Sequence, residues 1–148
     1  MLEKRVPSLV LGALHLNKMP PEALVRWQKF ARRDDEYEHA VTIAIVGKYT
    51  GLTDSYLSVI RGLSHSAMNT DRRLVLKWVE SSMLEPEVKL SHPDKHEAAW
   101  AAIKECDGIL IPGGFGDRGV RGKIAACRYA REHKVPFFGI CLGLQVRE

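Results

Sequence analysis

The sequence predicts an open, doubly wound α/β domain built on a parallel sheet, and three observations predict it. Apolar runs of strand length recur at Val41–Val46, Leu74–Val79, Ile109–Ile111 and Val135–Ile140, with helical apolar patterns between them. The first run, Val41-Thr42-Ile43-Ala44-Ile45-Val46, is β-branched and without polar alternation, as a strand covered on both faces requires. Strands alternating with helices at this spacing imply parallel pairing through right-handed crossovers. A chain of 148 residues, 45% of them hydrophobic, is enough for one such core.

Each element has its own signal. Residues 1–19 lack clear periodicity, and Pro20-Pro21 open a linker helix whose Ala23, Leu24, Trp27 and Phe30 recur at helical spacing. The domain boundary is placed between residues 1–40 and 41–148, because the β-branched strand begins there. A polar turn from Thr50 to Asp54 leads into a helix marked by Leu57, Ile60, Leu63 and Ala67, with Thr53 or Asp54 as its N-cap. After the second strand, Pro93 opens a helix to about Glu105 with Ala98, Ala99, Ala102 and Ile103 as its inner face, and Asp107-Gly108 closes it. Ile109–Ile111 then runs into a glycine-rich loop, Pro112 to Gly119, followed by a helix over Ile124–His133 and the fourth strand, Val135–Ile140.

Composition excludes several functions. The formal charge of +4 comes from scattered basic doublets and not from one stripe interleaved with aromatics, so nucleic acid is not an expected partner. No apolar run approaches the roughly 18 residues that span a bilayer, and no signal-type stretch follows the N-terminus, so a cytoplasmic location without membrane contact is expected. The three cysteines are odd in number and form no C-x-x-C pair, which argues against a disulfide framework or a metal site. Cys106 and Cys127 fall in helical patterns and read as small core hydrophobes.

In doubly wound sheets ligands bind beyond the carboxyl ends of the strands. There Gly139-Ile140-Cys141-Leu142-Gly143 has the form of a nucleophile elbow with cysteine as the nucleophile. Flanking residues without Cβ let the backbone bend sharply and project the thiol at the start of a helix, where an anionic group is favoured. Gly114 to Gly119 also satisfies G-x-G-x-x-G, but the acid about 20 residues on that would hold a ribose is missing, since that strand ends at Cys141. A different use fits Gly113-Gly114: if this loop abuts the elbow, the backbone N–H groups of Gly114 and Leu142 converge on one developing oxyanion.

Together Val46-Gly47-Lys48-Tyr49, Asp54-Ser55-Tyr56-x-Ser58-Val59-Ile60, His65-Ser66-Ala67, Pro112-Gly113-Gly114-Phe115-Gly116-x-Arg118-Gly119 and Gly139 to Gln145 resemble the CTP synthase family. More narrowly, they resemble the first half of its class I glutamine amidotransferase domain, a flavodoxin-like sheet that would here stop after the fourth strand. Residues 1–40 then look like the end of the synthetase domain and the linker leading from it. The resemblance implies a cytosolic, tetramer-forming ligase of pyrimidine biosynthesis. Glutamine is hydrolysed at a cysteine, and the ammonia passes to a synthetase domain that aminates UTP with ATP and magnesium, under activation by GTP. It implies Cys141 as the nucleophile and Gly114 and Leu142 as oxyanion donors. Leu142, Gly143, Leu144 and Gln145 become the glutamine-holding segment, and Arg118 and Gly119 part of a loop associated with GTP. No cofactor and no metal are implied for residues 1–148 themselves. Where the family carries a carboxylate this chain has Arg121, a departure at the GTP loop.

The family's base follows the nucleophile, and here no histidine follows Cys141. His133 precedes the fourth strand, roughly 20 Å from the elbow at ~3.3 Å per residue. His65 falls at the far edge of the sheet and His15 and His39 in the linker. In the usual strand order 2-1-3-4, His92 and His96 stand about 14 Å away, beyond hydrogen-bond reach. Little glutaminase turnover is therefore expected of this chain alone. Two other functions compete: a non-catalytic interaction module of the same family, and a nucleotide-binding α/β domain using the glycine loop.

Overall fold

The structure, a computed structural model, describes residues 6–17, 25, 37–48, 53–114 and 116–146. The chain divides into two compact units, Met1–Glu36 and Tyr37–Glu148. In the first, helix α1 spans Val6–Ala13, inside a stretch without periodicity. Leu9 and Val10 are both exposed, so no polar face marks the helix in the sequence. The expected linker helix over Pro20–Phe30 lies, apart from Val25, outside the described residues.

The second unit holds four parallel strands, β1 (Ala40–Gly47), β2 (Arg73–Glu80), β3 (Gly108–Ile111) and β4 (Phe137–Gly139), in the order β2-β1-β3-β4. Helix α2 (Leu57–Asn69) joins β1 to β2, and α3 (Pro86–Ser91) with α4 (Pro93–Lys104) joins β2 to β3. Helix α5 (Val120–His133) joins β3 to β4, and α6 (Leu142–Gln145) follows β4. Ala44 and Val46 pack with Ile103 of α4 and with Ala126 and Ala130 of α5. Ile43, on the opposite face by strand alternation, lines a cavity with Val59 and Leu63 of α2. The sheet thus carries helices on both faces, as expected. Its register is pinned where β3 starts: the Asp107 carboxylate accepts from Thr42 N–H at 2.8 Å, and Asp107 N–H donates to the Thr42 carbonyl.

Several boundaries differ from expectation for identifiable reasons. A 3-10 turn, Thr53–Tyr56, precedes α2, whose N-cap residue is Tyr56 with no side-chain cap bond, so neither Thr53 nor Asp54 is the N-cap. Ala98 is exposed; the inner side of α4 runs through His96, Ala99, Trp100 and Ile103, with Trp100 edge-on to Tyr129 of α5 at 5.7 Å. Helix α3 was not anticipated, because it has no buried residue and Leu90 faces solvent. Strand β4 begins only at Phe137. Val135 N–H is committed to Ala130 O at the end of α5, and Pro136 has no N–H to give.

Helix α5 begins four residues before Ile124 because its first turn is built for contact, not apolar patterning. A Cβ on Gly122 would lie 1.7 Å from the Ser81 carbonyl oxygen, in the buried turn Ser81–Leu84 after β2. Lys123, at 1% exposure, is the largest fully buried side chain of the described residues. Burial holds its ammonium below the ordinary lysine pKa, Lys48 adds to the effect, and Glu80 opposes it.

Gly122→Val should destabilise the chain by about 1–3 kcal/mol, since backbone must move to admit the side chain. Gly62→Ala, on an α2 position with nothing within 4 Å of the added methyl, should gain roughly 0.5–1 kcal/mol. Urea midpoints of the two variants check both signs. For Lys123, the unfolded chain binds more protons than the folded one, so this group's contribution to stability rises with pH through its folded pKa toward the unfolded value of about 10.4. Lys123→Met should flatten that rise and stabilise the chain at pH 7 by roughly 1 kcal/mol. Denaturant melts at pH 7 and pH 10 decide it.

Candidate functional site: the elbow after the fourth strand

At the carboxyl end of β4 the backbone turns sharply into α6, and Cys141 sits in the turn at φ +52° and ψ −112°. A non-glycine residue in such a region costs of order 1–3 kcal/mol, so the surroundings must enforce it. They do so by backbone contact. A Cβ on Gly143 would lie 2.0 Å from the Ile111 carbonyl oxygen, and one on Gly139 would lie 2.4 Å from the Gly143 carbonyl oxygen. Hydrogen bonds close the bend: Ile140 N–H to Ile111 O at 3.0 Å, Gly143 N–H to Ile140 O at 2.9 Å, and Leu144 and Gln145 N–H to Cys141 O. The result is an exposed thiol on a fixed backbone.

The glycine loop after β3 abuts this elbow, because β3 and β4 are neighbours in the sheet. A methyl group on Gly113 would stand 3.3 Å from Cys141 Cβ and 3.9 Å from its Sγ. Neither Gly114 N–H nor Leu142 N–H makes a hydrogen bond among the described residues. Two uncommitted donors thus lie on two loops that touch through Gly113 and Cys141. Of the other expected residues, Gly143 is buried beneath the turn, Leu142 is half-buried, and Leu144 and Gln145 point outward from α6. Gly116 and Gly119 have φ of +81° and +75°, so these positions of the G-x-G-x-x-G pattern answer a backbone requirement.

Arg118 Nη2 donates to the Lys48 carbonyl at 2.8 Å, and the same nitrogen is 3.8 Å from a Glu80 carboxylate oxygen. Gly119 is the N-cap residue of α5. Arg121, in the first turn of α5, faces outward and pairs with Glu87 of α3. Sequence reasoning missed the two buried lysines. Lys48, at 6% exposure, donates from Nζ to the Gly116 carbonyl at 2.5 Å. Its place immediately past β1, at a ligand-binding sheet edge, was the available signal.

Three of the histidines have partners of their own. His96 Nδ1 is 2.9 Å from the Met83 carbonyl, His133 stacks on Tyr129, and His92 bonds to Ser91. Cys106 donates to the Ala102 carbonyl at 3.0 Å and burial raises its pKa, in keeping with a core thiol. Among the described residues no three of His, Cys, Asp and Glu gather as a metal ion would need, and no helix is long and apolar enough to cross a membrane. A cavity of about 690 Å³ lies between α2 and the β3–β4 side of the sheet, lined by Val59, Leu63, Phe138 and Ile140. Its lining includes neither the thiol nor the glycine loop.

Comparison with known proteins agrees with this geometry. The family model for glutamine amidotransferase class-I matches residues 51–147. The chain is 53% identical over 123 residues to a CTP synthase of Eremothecium gossypii, covering 83% of this chain and 21% of that protein. It is 52% identical over 125 residues to CTP synthase 1 of Saccharomyces cerevisiae, covering 84% and 22%. It thus spans about a fifth of the length of these curated relatives. Among solved structures, the glutaminase domain of Trypanosoma brucei CTPS with bound acivicin superposes at a TM-score of 0.62, with 42% identity, over 72% of this chain and 38% of that one. By its strand order, its cysteine elbow and the family match over 51–147, the chain belongs to the class-I glutamine amidotransferase family.

Proposed function

We propose that this chain carries the nucleophile and the oxyanion site of the glutaminase reaction of a CTP synthase. The observation that carries the reading is Cys141, held at positive φ between two glycines that cannot be replaced and against Gly113. In this reaction Sγ adds to the side-chain amide carbon of glutamine, and the amide oxygen becomes an oxyanion that the Gly114 and Leu142 N–H groups receive. The C–N bond then breaks, nitrogen takes up a proton and leaves as ammonia, and a glutamyl thioester remains. Water hydrolyses the thioester to glutamate and frees the thiol. Leu142 to Gln145 supply the edge on which glutamine lies, and Arg118 and Gly119 belong to a loop that answers the activator GTP.

In the full enzyme the ammonia aminates UTP to CTP in a synthetase domain, with ATP and magnesium bound there. Residues 1–148 offer no acidic cluster fitted to magnesium among those described. Residues 1–40 are the end of that synthetase domain and its linker, and the assembled enzyme is a cytoplasmic tetramer.

One requirement is unmet within these residues. The thiol must lose a proton and the departing nitrogen must gain one, and His92, His96 and His133 are engaged with Ser91, Met83 and Tyr129 and not with Cys141. A general base contributes about 10²- to 10⁴-fold, so the purified 148-residue chain should release ammonia from glutamine at least roughly 10²-fold more slowly than a complete glutaminase. A coupled ammonia assay with Cys141→Ser as blank measures this. Stoichiometric labelling by acivicin should still occur, and mass spectrometry should find it on Cys141 and not on Cys106 or Cys127. Absence of any Cys141 adduct would favour the non-catalytic module.

A further inference from the structure

We propose that Lys48 is a positioning residue for the oxyanion loop, its buried ammonium fixing the 113–119 turn against the end of β1 and so setting the direction of the Gly114 N–H. The catalytic consequence rests on the glutaminase reading; the anchoring does not.

The geometry is reciprocal. Lys48 Nζ donates to the Gly116 carbonyl at 2.5 Å, and Arg118 Nη2 donates back to the Lys48 carbonyl at 2.8 Å, so one residue of β1's end holds the loop by both side chain and backbone. Lys48 is itself fixed from behind. Its N–H approaches the Tyr56 hydroxyl at 3.4 Å, and the buried Tyr56 ring packs on Trp78 of β2 with centroids 5.8 Å apart. The seat is close: a Cβ on Gly47 would lie 2.8 Å from that hydroxyl. A buried ammonium donating to a loop carbonyl costs desolvation that a solvated surface lysine would avoid, so the position is not an incidental surface contact.

Gly114 needs such an anchor because, among the described residues, nothing packs where its side chain would be. No atom lies within 4 Å of a Cβ built there, whereas Gly113 is pressed on Cys141 and Gly116 is held by Lys48. The N–H that would face the oxyanion is therefore suspended between two fixed points, one on each side. Loosening the second frees it to rotate while the thiol stays in place. Misplacement of about 1 Å in such a group costs up to roughly 10²-fold in rate.

The test uses the whole 148-residue chain as wild type, Lys48→Met and Lys48→Arg. Lys48→Gln serves as a second neutral variant in case the Met substitution melts below the assay temperature. Two readouts are taken: hydrogen exchange of the peptide spanning 112–118, and the labelling rate of Cys141 by acivicin relative to iodoacetamide. Lys48→Met or Lys48→Gln should speed exchange of the loop about 10-fold or more and lower the acivicin rate by at least a similar factor. The iodoacetamide rate should stay within about twofold, and Lys48→Arg should recover part of both losses. Exchange unchanged in the neutral variants overturns the proposal whatever acivicin does, as does an equal fall with both reagents. A wild-type chain that ignores acivicin, yet loses loop protection on Lys48→Met, overturns the glutaminase reading and keeps the anchor.

Discussion

The contact on which the site depends is backbone on backbone: Gly143 lying against the Ile111 carbonyl, where a single added carbon would stand 2.0 Å from oxygen. Because β3 and β4 are adjacent and parallel, the chain leaving β4 has to pass over the end of β3, and it can do so this tightly only without a side chain at 143. The bend then forces Cys141 to φ +52°. Strain of order 1–3 kcal/mol is stored there and is offset by the hydrogen bonds that tie Ile140 to Ile111 and Cys141 to Leu144 and Gln145. A residue in such a conformation cannot fold its side chain back along the strand, so the thiol is presented outward.

A second constraint shapes the opposite side of the glycine loop. Helix α5 is drawn onto the turn after β2 through Gly119 and Gly122, whose added methyl groups would stand 2.1 Å from Ser81 Oγ and 1.7 Å from Ser81 O. That close approach buries Lys123 and leaves the Ser81 hydroxyl buried and without a partner among the described residues. Both are unfavourable on their own. They accompany a loop whose two ends are rigid, at α5 and at β3, while its middle reaches Lys48. Stability is traded locally for a fixed loop path, a common circumstance at functional sites.

How legible all this was depends on which force made each feature. The strands were readable because β3 and the second half of β1 are buried on both faces, and burial writes itself as an apolar run rich in Val and Ile. Strand order was the one usual for such doubly wound sheets, and the elbow followed from Gly139-Ile140-Cys141-Leu142-Gly143, because steric need leaves glycine in the sequence. Features made by polar or tight contact left no hydrophobic period. The first turn of α5 has Gly122 and Lys123 where an apolar stripe would be sought, and α3 has only half-buried Val88 and exposed Leu90 to show. Ala98 was misplaced on the inner side of α4 because alanine fits either side, and His96 and Trp100 took that side instead. Lys48 was visible only as part of a motif; that its ammonium turns inward to Gly116 is a tertiary fact.

On the proposed glutaminase reading, electrophile stabilisation and proton transfer are separable, and the separation decides what chemistry the elbow and the glycine loop can complete by themselves. An oxyanion donor is worth about 2.7–4 kcal/mol when aimed correctly, and the elbow and glycine loop supply two candidates. Yet a tetrahedral adduct of an amide must choose between expelling thiolate and expelling an amine. Without an acid to protonate nitrogen, thiolate is the far better leaving group, and the adduct returns to glutamine. Stabilising the oxyanion lowers both exits equally and does not change that choice. An electrophile whose capture by sulfur needs no protonated nitrogen escapes the dilemma and goes on to a stable adduct. On the proposed glutaminase reading, the arrangement of Cys141, Gly113 and Gly114 suits this chain to capture a glutamine-like electrophile, while turnover of glutamine itself needs a proton donor at the thiol, and His96, His92 and His133 are engaged with Met83, Ser91 and Tyr129.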